Sequence, residues 1–345
     1  MGPKYVFNVI QKYIDCEMFN NDNILIQSLK FFIKHLIWNF KFHKYNKSRR
    51  NIFLLTSRRS GGTWIMQALS RIKNTKSVIE PFNYGYRDVF NRRHYSQELL
   101  KNGFPKLESN RKDVINFLNK LFYSNSIKCQ EQWRIFSSDF HFLTTRTVVK
   151  LHTPKIFIED LQKEYPNDKF IFLIRNPIPQ VLSILNLEMK SLDYINWFLE
   201  DQKYIDKYLS SEQIKFAKHI AQNGKVKEKL FLTWVLENKP VIEFSENKNL
   251  LMVKYEDVVL NKSFIIQKIE HYLNEDLPLK KSFDNPSITS FNSKDMIRSQ
   301  NKNQILNRWQ SEVSIEEVKV FQNILDKFDI TTYSFNSFID NEKRR

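Results

Sequence analysis

Between positions 51 and 72 the chain reads NIFLLTSRRSGGTWIMQALSRI, and two of its only six glycines, Gly61 and Gly62, stand side by side. Six in 345 residues is far below the usual share of about 7%, so the pair needs a local reason. An apolar run, a polar turn and then Ile65, Ala68, Leu69 and Ile72 at helical spacing read as strand, loop and helix. Such a loop turns backbone N–H groups toward one point, and the helix dipole favours an anion there. Phosphate is the natural guest. Gly61 and Gly62 permit close approach and positive φ, Arg59 supplies charge, and Thr63 offers a hydroxyl at the helix start. The nucleotide-kinase pattern GxxxxGK(S/T) is absent, because no lysine follows Gly62.

A second stretch, KFIFLIRNPIPQVLSIL from residue 169 to 185, puts Arg175 at the end of an apolar run, Asn176 at an N-cap position and Pro177 at the first helical position. Ser183 follows eight residues after Arg175. An arginine at a strand end can fork onto a phosphate, with the serine adding a hydroxyl.

Taken together, the two stretches resemble the signatures of the PAPS-dependent sulfotransferases, where PAPS is 3′-phosphoadenosine 5′-phosphosulfate. The first signature, a basic residue followed by Ser-Gly-Thr/Ser-Thr-Trp, corresponds to Arg59, Ser60, Gly61, Gly62, Thr63 and Trp64. The second, whose arginine and serine grip the 3′-phosphate, corresponds to Arg175 and Ser183. VVKLHTP resembles the Lys-x-His-x-Pro stretch of the cytosolic branch, which implies that Lys150 assists at the transferring group and His152 is the base. VKYEDV resembles the stretch whose tyrosine lies by the adenine, here Tyr255, and NRWQ at 307–310 resembles the late segment that closes over the cofactor. The family's late Arg-Lys-Gly grip has Lys302 as its nearest basic residue, and Gly62 stands where a hydroxyl residue is usual. The resemblance covers roughly residues 51 to 330 and implies PAPS as donor.

Sulfuryl transfer needs a deprotonated acceptor, cations around the transferring group and in-line placement. Arg59, Lys150 and the loop amides are the expected positive field. Two bases compete. His152 matches the cytosolic branch, and Glu80, in SVIEPF, matches the glutamate after the second strand in the carbohydrate and tyrosylprotein branches. A neutral imidazole works near pH 7 unaided, whereas a carboxylate needs its environment; the Glu-Pro at a strand end and a basic insert favour Glu80, and both stay open. The reading is a sulfotransferase acting on a hydroxyl of a carbohydrate or glycolipid. Its alternatives are a small-molecule alcohol or phenol, or a protein tyrosine, as acceptor, a kinase with an aberrant loop, and a non-catalytic polyanion-binding protein.

The elements that must position these residues follow from apolar runs at 51–56, 77–79, 147–151, 169–174 and 249–255, with helical patterns between several of them. Runs buried on both faces and separated by helices predict a parallel sheet of about five strands flanked by helices, a P-loop-like three-layer α/β fold. The expected layout is an N-terminal amphipathic helical segment over 1–48, a catalytic domain over 49–335 with an acceptor-side insert at 84–146, and a polar tail over 336–345. An apolar share of 41%, with 29 phenylalanines and 14 tyrosines, fills a large interior. The net charge of +16 favours a phosphate-bearing partner or an anionic surface; no nucleic-acid partner is expected. Two cysteines without a CxxC pattern suggest a reducing, cytoplasmic setting. None of the seven histidines has metal-ligand spacing, so no metal is expected. The stretch ILIQSLKFFIKHLIWNF, residues 24–40, is shorter than the roughly 20 residues that span a bilayer and carries Lys30, Lys34 and His35. It reads as an amphipathic helix that packs on the domain or lies at a membrane interface.

Overall fold

The computed structural model describes residues 42–82, 106–107, 109–123, 143–186, 194–245, 249–275 and 302–343. The amphipathic stretch 24–40 and most of the segment 84–146 lie outside them.

Five strands form one parallel sheet: β2 (Ile52–Leu55), β3 (Thr75–Ile79), β5 (Arg146–Leu151), β6 (Lys169–Ile174) and β7 (Leu250–Lys254), in the order β3-β5-β2-β6-β7. A separate parallel pair joins β1 (Phe42–His43) to β4 (Leu143–Thr144). In the main sheet Leu54 lies beside Lys150 on one side and Ile171 on the other. The chain passes from β2 to one side of the sheet and later returns to the other, so the carboxyl end of β2 is a topological switch point, where ligands bind in open α/β sheets.

The alternation of side chains along each strand divides the core in two. Phe53, Leu55, Val149, Leu151, Phe170 and Phe172 face one layer, and Ile52, Leu54, Val148, Ile171, Leu173 and Leu251 face the other. The first layer is covered by α2 (Arg111–Tyr123), α3 (Ile158–Glu164), α4 (Pro177–Leu185), α8 (Val226–Phe244) and α12 (Ile315–Lys327). The second is covered by α1 (Gly62–Leu69) and α10 (Lys262–Leu273). Phe53 stacks on Phe170 with centroids 4.4 Å apart; each such fully buried side chain contributes about 1.5–3 kcal/mol. Between α4 and α8 run α5 (Ile195–Leu199), α6 (Gln202–Tyr208) and α7 (Ser211–Asn223), and α9 (Tyr255–Leu260) precedes α10. Near the C-terminus come α11 (Lys302–Asn307), a 3₁₀ turn (Arg308–Ser311) and, after α12, α13 (Asn336–Lys343).

Two of the expected segments contribute side chains to the core. Within the expected insert, α2 buries Val114, Phe117, Leu118, Leu121 and Phe122 in the main core, and Arg146 at the insert's end opens β5. The expected polar tail is α13, whose Ile339 is buried and whose Phe338 packs on Trp309. Two apolar side chains, Phe338 and Ile339, hold it where its many polar ones suggested solvent.

Among the described residues no helix is long and apolar enough to cross a membrane.

Candidate donor and acceptor site

The loop from Thr56 to Gly61 leaves β2 at the switch point. Gly61 is the N-cap of α1 with φ +88, a conformation that costs a side-chain-bearing residue about 1 kcal/mol or more. A Cβ on Gly61 would also stand 2.6 Å from the ring of Tyr255, the first residue of α9. A Cβ on Gly62 would meet Thr56 Cγ2 at 2.7 Å and Lys150 Cε at 2.9 Å. The glycine pair therefore answers two separate crowding problems. Gly61 admits an aromatic ring, and Gly62 admits the stem of a lysine from the adjacent strand.

The loop's peptide groups are oriented by a series of hydrogen bonds to its carbonyls. Thr56 O accepts from Lys155 Nζ at 3.0 Å, Ser57 O from Ser60 Oγ at 2.7 Å, Arg58 O from Gln180 Nε2 at 2.7 Å, and Arg59 O from Arg175 Nη1 at 2.8 Å. Four successive carbonyls are thus taken, three by distant parts of the chain and one by Ser60 within the loop. Arg59, itself at φ 63, donates from Nε to Ser183 Oγ at 3.0 Å. Burial, and then the neighbouring Arg175 cation, lower the Arg59 pKa from its ordinary value.

Arg175 follows β6, and Asn176 caps α4 by accepting from the Ile178 amide at 3.0 Å, with Pro177 at the first helical position. The Arg175 guanidinium lies 4.6 Å from the centroid of the Tyr255 ring, a cation–π distance. Tyr255 in turn meets Trp64 edge-on with centroids 6.3 Å apart. Arg59, Gly61, Trp64, Arg175, Ser183 and Tyr255, spread over three strand ends in the sequence, thus form one contiguous group.

A second group adjoins it across Lys150. The Lys150 ammonium, on a side chain only 4% exposed, donates to Glu80 Oε1 at 2.7 Å and to Thr63 Oγ1 at 3.2 Å. Glu80 follows β3 at φ 47, unusual for a residue with a side chain, and its amide extends the ladder by donating to Lys150 O at 3.0 Å. His152 Nε2 lies 3.3 Å from the same Glu80 oxygen, without hydrogen-bond alignment. Burial pushes the His152 pKa down from 6.5 to about 3, although the Glu80 carboxylate pulls the other way. The imidazole is therefore neutral at physiological pH.

Lys302 stands apart from both groups in its contacts. It is exposed on α11 and donates to Leu260 O at 3.4 Å. Trp309 is buried against Phe335 and Phe338 and lines a cavity of about 320 Å³ with Asn176, Glu256, Leu306 and Tyr333. Glu256 spans this region, accepting from the Asn176 amide at 2.9 Å and from the Tyr333 hydroxyl at 2.9 Å. Among the described residues no group of three or more His, Cys, Asp or Glu side chains could hold a metal ion.

Sequence reasoning missed Lys155, Gln180, Glu237 and Asn238. Ser57 Oγ donates to Asn238 Oδ1 at 2.9 Å, and Lys155 Nζ reaches Glu237 Oε1 at 2.8 Å. Lys155 follows directly on the Lys-x-His-x-Pro stretch, and Glu237 and Asn238 sit in mid-helix where charged and polar residues read as a solvated face.

The fold and this edge define a phosphate-binding α/β group-transfer protein. The chain belongs to the sulfotransferase family, whose sulfotransferase domain model matches residues 49–329, and is a PAPS-dependent transferase. No curated protein is significantly similar to it in sequence. Among solved structures it is similar to the sulfotransferase domain from the curacin biosynthetic pathway, at 14% identity over 81% of this chain and 98% of that one, with a TM-score of 0.42. It is likewise similar to mouse sulfotransferase SULT7A1 complexed with PAP, at 14% identity over 86% and 90%, TM-score 0.42. A third is retinol dehydratase in complex with androsterone and inactive cofactor PAP, at 12% identity over 86% and 84%, TM-score 0.39. The family assignment rests on the sequence match. The residues present suit a phosphosulfate donor. The glycine pair lets Tyr255 and Lys150 close on the helix start, and Arg59 and Arg175 stand beside it.

Proposed function

We propose that the protein transfers the sulfuryl group of PAPS to a hydroxyl of a carbohydrate or glycolipid, with Glu80 as the base. The observation that carries this reading is the Glu80 carboxylate. It is held at a strand end by Lys150 at 2.7 Å and is more exposed, at 22%, than either Lys150 or His152. A carboxylate so placed can take the acceptor proton while Lys150 meets the charge that develops on the transferring group.

In this reading the loop amides, Arg59 and Thr63 hold the 5′-phosphosulfate, Arg175 and Ser183 receive the 3′-phosphate, and Tyr255 and Trp64 flank the adenine. PAPS supplies the sulfuryl group. The chain's residues fix its orientation and stabilise the leaving phosphate. His152, neutral, packs beside the Glu80 carboxylate, which Lys150 orients. Lys302, exposed on α11 and donating to Leu260 O, would add a further phosphate contact.

The test is transfer from ³⁵S-labelled PAPS to a panel of oligosaccharides, glycolipids, phenols and tyrosine peptides by the unmodified protein and by Glu80→Gln. Label on saccharide hydroxyls, lost in the variant, is expected. Label on phenols or tyrosine peptides alone would overturn the acceptor class, and undiminished transfer by Glu80→Gln would overturn the base.

A further inference from the structure

The most unusual charged group in the molecule is one that faces no solvent. Lys155 is completely buried in the 3₁₀ turn Thr153–Phe157 that follows β5, directly beneath the loop. A lysine is almost never fully buried without partners, and its ammonium has three N–H donors to place. Here all three are used: one on Thr56 O at 3.0 Å, one on Ser57 Oγ and one on Glu237 Oε1 at 2.8 Å. Ser57 passes the link on, donating to Asn238 Oδ1 at 2.9 Å, and Asn238 Nδ2 donates to Trp234 O at 2.7 Å. The ammonium therefore joins the first two residues of the loop to the middle of α8, the longest helix among the described residues.

Two of the three partners belong to the loop, which distinguishes this pair from an ion pair that merely ties two helices. A pair of well-packed apolar residues in place of both Lys155 and Glu237 would stabilise a core as well or better. What an apolar residue cannot do is hold Thr56 O downward, and a carbonyl held downward sets the plane of the peptide that follows it. Gln180 and Arg175 act likewise on Arg58 O and Arg59 O, and so set the planes of the peptides that follow these two residues.

We propose that Lys155 is a positioning residue for sulfuryl transfer, fixing the loop Thr56–Gly61 so that its amides are preorganised for the donor's 5′-phosphosulfate. The inference rests on the reading that this loop holds that group. It separates from that reading because Lys155 holds only Thr56 and Ser57 at the start of the loop, whereas Arg59, which touches the 3′-phosphate grip, is held by Arg175 and Ser183.

The experiment compares two ligands by calorimetry on the full chain: adenosine 3′,5′-bisphosphate, which carries the 5′-phosphate, and 3′-AMP, which does not. The variants are Lys155→Met and the paired Lys155→Met/Glu237→Leu, the second removing both charges so that no buried carboxylate is stranded. Loss of a charge-assisted hydrogen bond to the loop is expected to weaken the bisphosphate by more than about tenfold in both variants. 3′-AMP binding should change by less than about twofold. The paired variant should recover thermal stability but not bisphosphate affinity. If both ligands weaken equally, or if the paired variant restores the bisphosphate, Lys155 serves folding alone and the inference fails. If the unmodified protein binds the two ligands equally, the loop is not the 5′-phosphate site, and the reading beneath the inference fails with it.

Discussion

Arg59 and Ser183, 124 residues apart, share a hydrogen bond of 3.0 Å from Nε to Oγ, while Arg175 holds the carbonyl of the same Arg59. The two phosphate grips inferred separately from the sequence are therefore one linked unit. Ser183 Oγ accepts from Arg59 and keeps its own O–H to donate to a ligand phosphate, so the two ends of the donor should be coupled. Arg175→Ala and Ser183→Ala are each expected to weaken adenosine 3′,5′-bisphosphate binding, and Arg59→Ala with Ser183→Ala should be non-additive by about 0.5–3 kcal/mol. A calorimetric double-mutant cycle measures this, and additive losses would contradict the linkage.

Glu80 and His152 are distinguished by their chemistry as well as by position. Removing a positioned base costs typically about 10²- to 10⁴-fold in rate. Glu80→Gln should lose activity in that range with little change in bisphosphate affinity, because in the proposed reading the carboxylate serves the acceptor and not the donor. His152→Asn should lose less. A larger loss at His152 than at Glu80 in single-turnover transfer would exchange their roles.

The buried imidazole also has a consequence for stability against pH. Its folded pKa, near 3, lies below its ordinary 6.5. Between these values the unfolded chain binds a proton that the folded chain refuses, so stability falls as pH falls through that window. Above it both states are neutral and the effect vanishes. His152→Gln should therefore lose less stability than the unmodified protein between about pH 7.5 and pH 5, as read from urea midpoints. Equal losses would mean that the imidazole is solvated and protonates in the folded state.

The two glycines should respond differently to alanine. At Gly61 the positive φ and the Tyr255 ring 2.6 Å from the added Cβ act together, so Gly61→Ala is expected to destabilise by more than about 1 kcal/mol. Cutting back the ring with Tyr255→Ala should not restore it, since the backbone strain remains. At Gly62 the obstacle is side-chain atoms of Thr56 and Lys150, and Gly62→Ala should chiefly displace Lys150. Its signature is a fall in transfer rate exceeding the fall in thermal stability.

Much of this was legible in the sequence because the informative residues lie at strand ends. The apolar run at 169–174 is β6 residue for residue, and Asn176-Pro177 marks the start of α4 as their chemistry requires. The strand at 75–79 was read two residues short. Thr75 and Lys76 are polar yet buried, and Lys76 can be so because its ammonium donates to Leu121 O at the end of α2 at 2.8 Å. The helix 111–123 carried a visible apolar face at Val114, Phe117, Leu118, Leu121 and Phe122, obscured by the charged residues around it. Lys155, Glu237, Gln180 and Asn238 gave no sign, since a buried ion pair or amide is recognisable only once its partner, here 82 residues away for Lys155 and Glu237, is brought against it.

The placement of β2 at the middle of the sheet also governs the order in which the molecule can be made. Its hydrogen-bonding neighbours are β5 and β6, and the buried bonds from Asn51 to Asp168 close across 117 residues. During synthesis the loop leaves the ribosome long before the strands on either side of it and before the helix that supports it through Glu237 and Asn238. A nascent chain ending after Ser183 contains every signature residue of the first two motifs and neither of those α8 supports, so the anion cradle gains these supports only once residues 237 and 238 have been made.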